Sequence, residues 1–132
     1  MTAKQYLNRV RRVDKEITAL ISLADRTRDS LERITQNYDG DGAQSTKDPH
    51  KFDRLAELED LIDQKIDEQL KLKAETLDTI TQLDNRLHRE VLIGHYLNMK
   101  TWEQVAVDMD YSWRQIMNFH GSALQEIQRI IG

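Results

Sequence analysis

The chain has 132 residues, 32% of them charged, with 19 Lys or Arg against 23 Asp or Glu and a formal net charge of −4. It contains no cysteine, which excludes a disulfide framework, a thiolate zinc site and an iron–sulfur cluster. No run approaches the roughly 18 consecutive apolar residues of a membrane span, and the basic start lacks a following apolar stretch. We therefore expect one or two small domains, no membrane segment, no secretion signal and a cytoplasmic location.

The first 36 residues carry a helical pattern, in keeping with only one proline and five glycines in the whole chain. Apolar residues recur at alternating spacings of four and three, interrupted only by Thr27, which forms a heptad seam and predicts a helix over residues 3–36. The seam consists of Tyr6, Val10, Val13, Ile17, Leu20, Ala24, Leu31 and Ile34.

Residues 37–48 break this pattern, since Gly, Asp, Asn and Ser dominate them and predict a flexible loop. The acidic residues Asp39 and Asp41 resemble the start of a calcium loop, but Gln44 stands where an EF-hand needs glycine, so we predict no metal there. Asp48 is a predicted N-cap, and Pro49 the first residue of a second long helix that ends near residue 84.

Residues 1–85 are therefore predicted to form a long antiparallel helical hairpin of coiled-coil character in an all-α protein. The second helix has its own apolar period from Phe52 to Leu83, with Asp, Glu, Lys and Gln between. Two helices alone cannot bury both apolar stripes. We expect a further surface to cover them: the C-terminal residues, a second copy of the chain or another protein.

Residues 86–132 predict shorter elements. A helix of about 12 residues leads through Leu97 to a turn at 98–100, and two capping boxes follow, Thr101–Gln104 and Ser112–Gln115. Between them, Ala106 is small enough to let two helices approach, and Asp110 tolerates a positive φ. This arrangement predicts a helix-turn-helix DNA-binding domain over 86–132, with residues 112–125 as the recognition helix.

The segment from Thr101 to Ile116 (TWEQVAVDMDYSWRQI), with Ala123-Leu124 and Ile127 after it, resembles region 4 of bacterial sigma factors. The whole layout is similar to small phage and prophage proteins of Gram-positive bacteria, including late-gene transcription activators of the ArpU and RinA type. The resemblance implies DNA binding and transcription control in a phage-infected or lysogenic bacterium. Two residues depart from the family pattern, because Asp110 replaces the usual turn glycine and Trp113 stands where Arg is common.

The candidate DNA-binding residues follow from this interpretation. Arg114, Gln115 and Asn118 are expected to reach base edges, because Arg suits guanine and Gln or Asn suits adenine. Trp113 is expected either to contact a sugar or thymine methyl or to shield the turn. Phosphate is expected at the start of the first helix of the pair. The full predicted set is Lys100, Thr101, Gln104, Ser112, Trp113, Arg114, Gln115 and Asn118.

Charge is uneven along the chain. Residues 1–36 have a net charge of +3, residues 37–85 of −7 and residues 86–132 of zero. A DNA-binding domain without net positive charge, such as residues 86–132, is expected to bind weakly as one copy. We therefore predict a homodimer formed through the hairpin. The basic cluster Arg9, Arg11, Arg12 and Lys15 predicts either a phosphate or acidic-partner patch or, more simply, a solvated helix face or a complement to the acidic second helix.

Other functions are predicted less well by the residues. No nucleophile with a base, glycine-rich phosphate loop or convergent acid pair is present, so we expect no enzymatic activity and no cofactor. His88 and His95 lie seven residues apart but lack a third nearby ligand, so no metal is expected. Two alternatives stay open: a packaging protein like a small terminase subunit, and a protein-interaction module that binds RNA polymerase.

Overall fold

The computed structural model describes residues 1–36 and 50–132. Every regular element in these two ranges is helical, and the expected all-α class is confirmed. The elements are α1 (Ala3–Gln36), α2 (Lys51–Ile80), α3 (Arg86–Leu92), a π-helical segment (Ile93–Leu97), α4 (Trp102–Met109) and α5 (Trp113–Ile131). The predicted loop at 37–48 and the predicted helix start at Asp48 and Pro49 lie outside the described residues.

Helix α1 has the predicted bounds. Its first turn is held by Thr2 and Gln5, since the Thr2 hydroxyl accepts from the Gln5 backbone N–H and the Gln5 side chain accepts from the Thr2 N–H. Five of its buried side chains belong to the heptad seam, Val10, Val13, Ile17, Ala24 and Leu31, and the buried Ala3 and Leu7 lie outside it.

Helix α2 ends at Ile80, four residues before the predicted end at 84. The chain leaves the helix through tighter bonds, from Gln82 N–H to the Thr79 carbonyl and from Leu83 N–H to the Ile80 carbonyl. The Asn85 side chain then accepts from two backbone N–H groups of α3, which makes it an N-cap. Asparagine is a common N-cap residue, so the sequence already contained an indication that a new helix begins after Asn85.

The described chain divides into two compact units. One unit comprises residues 14–68, parts of α1 and α2. Its buried side chains, Ile17, Ala24 and Leu31, all come from α1. Two ion pairs join its helices, Arg28 to Glu59 at 3.0 Å and Lys65 to Glu16 at 3.3 Å.

The other unit comprises residues 1–13 and 69–132, which we call the terminal unit. Its larger core joins the first turns of α1 to the end of α2, α3 and α5; it contains Ala3, Leu7, Val10, Ile80, Leu83, Leu92, Tyr96, Leu97, Ala123 and Ile127. A smaller core of Val91, Val105, Ala106 and Ile116 holds α4 against α3 and α5. The start of the chain thus packs with its C-terminal helices.

Candidate nucleic-acid interface

The start of α4 has the predicted capping box. The Thr101 hydroxyl accepts from the Gln104 backbone N–H at 3.2 Å, and the Gln104 side-chain oxygen accepts from the Thr101 N–H at 2.8 Å. The Lys100 ammonium, which lies just before α4, forms an ion pair with Asp108 of α4 at 2.5 Å. Gln104 is therefore engaged in holding the helix, and the charge of Lys100 is balanced by a neighbouring carboxylate.

The turn between α4 and α5 depends on Asp110, which has the predicted positive φ (φ 60°, ψ 43°). Tyr111 N–H donates to the Ala106 carbonyl at 3.1 Å, which closes the end of α4. Asp is one of the few residues other than glycine that adopt this conformation at low cost. Ala106 is 9% exposed and packs with Ile116, so a small residue lies where the two helices meet.

The start of α5 has the second predicted capping box. The Ser112 hydroxyl accepts from the Gln115 N–H at 3.2 Å, and the Gln115 side-chain oxygen accepts from the Ser112 N–H at 3.1 Å. The helix runs from Trp113 to Ile131, so it contains the predicted recognition segment up to residue 125 and continues beyond it. Gln115 was a predicted base reader, but its amide oxygen is already used by the backbone.

The outward side of α5 is polar. Arg114 and Asn118 are exposed and lie one helical turn apart, so their side chains project from the same side. The side continues through the exposed residues Gly121, Ser122, Gln125 and Arg129. In α5, all of which is described, the single carboxylate is Glu126, and it pairs with His88 at 2.7 Å. The outward side therefore presents two cations and hydrogen-bonding groups without a carboxylate.

Trp113 is 54% exposed at the first position of α5. Of the eight predicted residues, Trp113, Arg114 and Asn118 thus have exposed side chains with no capping role. Thr101, Gln104, Ser112 and Gln115 shape the two helix starts, although all four are also exposed.

A cluster of aromatic and imidazole rings lies behind these helix starts and was not anticipated. The His95 ring stacks on Trp102 with centroids 3.7 Å apart and planes 14° apart, and Trp102 also lies 4.4 Å from the His120 ring. The Tyr96 hydroxyl lies 2.6 Å from His120 Nε2. These contacts tie the π-helical segment to the start of α4 and the middle of α5.

The cluster is uncharged at neutral pH. Burial, with smaller contributions from the charges of His95 and Lys4, lowers the pKa of His120 to about 4. Burial also raises the pKa of Tyr96 to about 12. The pKa of His95 is lowered, chiefly by burial, although its hydrogen bond to the Lys100 carbonyl opposes the shift. These rings therefore serve to position α4 and α5.

The two histidines considered as metal ligands have protein partners instead. His88 Nδ1 pairs with Glu126, and His95 Nδ1 donates to the Lys100 carbonyl at 2.8 Å. Across residues 1–36 and 50–132, no three His, Asp or Glu side chains are grouped as a metal ion would require. Within the same ranges, no helix combines the length and the apolar character needed to cross a membrane.

Comparison of the chain with protein-family models, with curated proteins and with solved structures finds no match. The interpretation of the site depends on its own geometry and chemistry.

Proposed function

We propose that this protein is a phage-type DNA-binding transcription regulator in which α4 and α5 form a sigma-region-4-like helix-turn-helix. The observation that carries the proposal is the outward side of α5, where Arg114 and Asn118 follow directly on a capped helix start and no carboxylate interrupts the polar surface. In this proposal α5 enters the major groove of double-stranded DNA. The protein acts by binding rather than by catalysis.

The residues divide into two roles in this proposal. Arg114 reads guanine through its paired N–H donors, and Asn118 reads adenine through its amide. The start of α4, with Thr101 exposed at its cap, faces the phosphate backbone, where its N–H groups and partial positive charge favour an anion. Gln115 keeps the recognition helix in place, and its free amide N–H₂ is the part available to DNA.

Residues 14–68 supply the partner surface in the proposal, as an antiparallel hairpin through which two copies associate. The ion pairs Arg28–Glu59 and Lys65–Glu16 support it, because the residue that is later in α1 pairs with the residue that is earlier in α2. Several large apolar side chains of the unit are exposed, among them Leu23 at 53% and Leu61 at 39%. A second copy would cover them and double the phosphate contacts.

Selection of duplexes from a randomised pool, followed by fluorescence anisotropy, tests the proposal. We expect Arg114→Ala and Asn118→Ala each to weaken binding to the selected duplex by about 5- to 150-fold, the range for one good base contact. The matched control is Arg26→Ala, which removes the same charge as Arg114→Ala from an exposed position in the unit 14–68. Circular dichroism checks that helix content is unchanged. Equal affinity of all three variants would contradict the groove assignment.

A second candidate function is a protein-interaction module that binds RNA polymerase. The observation that favours it is the exposure of apolar side chains on both helices, Val107 at 79% on α4 and Trp113 at 54% on α5. Such side chains are enriched at the centres of protein interfaces. Binding to purified polymerase without any binding to DNA at low salt would favour this function over the first.

A further inference from the structure

The first turn of α1 lies against the C-terminal half of α5. The backbone N–H of Ala3 donates to the Gln128 side-chain oxygen at 2.8 Å, and the Gln128 amide lies 3.5 Å from the Met1 carbonyl. Ala3 and Leu7 share the larger core with Ile127. The two hydrogen bonds join residues 125 and 127 positions apart in sequence, so no local sequence pattern could indicate them.

The next turns of α1 lie against the segment that leads into α4. The Arg11 guanidinium donates to the His95 carbonyl at 2.6 Å. His95 in turn stacks on Trp102, the first residue of α4. Lys4 and Arg11 are seven residues apart and therefore project from the same side of α1. Burial is the main cause of the lowered pKa of both His95 and His120, and the positive charge of Lys4 makes a smaller contribution to each.

This packing changes the charge of the unit that contains α5. Residues 1–13 hold four basic side chains, Lys4, Arg9, Arg11 and Arg12, and no acidic one. With residues 69–132 they give the terminal unit a net charge of +3, whereas residues 86–132 alone are neutral. The complementary unit 14–68 then has a net charge of −7.

The four cations are not equivalent. Arg9 lies over the Tyr6 ring at 4.3 Å and 4.0 Å from Glu75 of α2, so its charge is directed toward α2. Arg11 uses one nitrogen on the His95 carbonyl and is half-buried. Lys4 and Arg12 are exposed, and no acidic side chain of the described residues forms an ion pair with either.

We propose that the first turns of α1 are part of the DNA-binding surface, with Lys4 and Arg12 on the phosphate backbone beside the groove that α5 enters and Arg11 supporting them. The proposal rests on the proposed function. It assigns the electrostatic attraction to phosphate to the N-terminal helix, because residues 86–132 have no net positive charge. Phosphate contacts supply most of the sequence-independent affinity of a DNA-binding protein, and they come from Lys and Arg.

The salt dependence of binding tests this proposal, because each phosphate contact changes the slope of log Kobs against log salt by about 0.9. We expect Lys4→Ala and Arg12→Ala each to reduce the magnitude of this slope by about 0.9, the value for one phosphate contact. Each is also expected to reduce the affinity at 0.1 M salt by roughly three- to tenfold, on selected and random duplexes alike. Lys4→Arg keeps the charge and is expected to keep the slope. Arg26→Ala is the control of equal charge change.

The outcomes separate this proposal from the one on which it rests. If Arg114→Ala weakens binding while Lys4→Ala and Arg12→Ala behave like Arg26→Ala, α1 is not part of the DNA surface and the groove assignment stands. If the unaltered protein binds no duplex at low salt, both proposals fall. A loss confined to the selected duplex in Lys4→Ala would also overturn the proposal, because a backbone contact acts on every sequence.

Discussion

At the scale of single residues, some side chains that the sequence predicts to bind DNA also hold the start of their own helix. Gln104 and Gln115 lie at the predicted interface, yet each places its amide oxygen on the backbone N–H of its own N-cap. Asp110 adopts a left-handed backbone conformation, which glycine adopts more readily than most residues. The polar residues of a capped helix start are thus available for a ligand only after their structural bonds are counted.

His120 gives a prediction about pH. Its folded pKa is about 4, below the ordinary 6.5, so between these values the unfolded chain binds the proton and the folded protein does not. The folded state therefore keeps its full stability with respect to His120 above pH 6.5, and it becomes less stable relative to the unfolded chain as the pH falls toward 4. The loss is on the order of 1–2 kcal/mol after allowance for partial solvent access, or about 5–10 °C in Tm.

Thermal unfolding at pH 7, 6, 5 and 4.5 checks this dependence. His120→Phe removes the titrating group and is expected to give a shallower fall in Tm over the same range. His50→Phe is the control, since His50 is exposed. The lowered pKa of His95 acts in the same direction and will leave a residual slope in His120→Phe. Parallel curves for the two variants would show that His120 does not carry the effect.

At the scale of elements, the helix bounds that depend on neighbouring residues could be predicted from the sequence. The heptad period gave the bounds of α1, and the two capping boxes gave the starts of α4 and α5, because both depend on side chains within a few residues. The π-helical segment was not predicted, although the 12-residue total from Arg86 to Leu97 was. The segment is only five residues long, which is too short for an apolar period to distinguish i→i+5 from i→i+4 hydrogen bonding.

The π-helical segment gives a prediction through Gly94. A Cβ atom built there would lie 3.2 Å from the Cγ2 atom of Val105, which is 2% exposed and held stiffly by its branched side chain. We expect Gly94→Ala to lower the free energy of unfolding by about 1 kcal/mol through overpacking. The measurement is urea denaturation followed by circular dichroism.

Gly121→Ala is the matched change on α5. Among the described residues, no atom beyond the glycine's chain neighbours and its own helix backbone lies within 4 Å of a Cβ placed there, and the position is exposed in the interior of a helix. Alanine there is expected to raise the free energy of unfolding by about 0.5–1 kcal/mol, because glycine loses more backbone entropy on folding. Stabilisation by both substitutions would mean that α4 and the π-helical segment do not approach as closely as described.

At the scale of the whole molecule, the least predictable feature was which segments share a core. The sequence placed the candidate site within residues 86–132 and predicted a hairpin over residues 1–85, with the C-terminal residues, a second copy or another protein as the surface that covers it. The contacts of Ala3 with Gln128 and of Arg11 with His95 depend on how the chain returns to its start, and no periodicity within a segment reports that. For the proposed DNA binding, the relevant net charge is therefore the +3 of the terminal unit rather than the zero of its last 47 residues.

The association of two copies is a prediction at this scale. In the unit 14–68, α2 buries none of its apolar side chains; Leu61 and Ile66 are 39% and 37% exposed. Burial of such residues is worth roughly 25 cal/mol per Å² of apolar surface, so a second copy that covers them would be stabilised. We expect light scattering to give about twice the chain mass of 15.5 kDa.

A pair of substitutions locates the interface. Leu61→Glu puts a charge on the apolar side of α2 and is expected to give monomers, because a buried unpaired carboxylate is costly. Val107→Glu makes the same kind of change at a 79% exposed residue of the terminal unit and is expected to leave the mass unchanged. If two copies are needed to offset weak single-copy binding, Leu61→Glu will also lose DNA affinity while its salt slope falls by about half. A ring of eight or nine copies would favour the packaging protein, and an unaltered chain that stays monomeric at high concentration would remove the dimer from the mechanism.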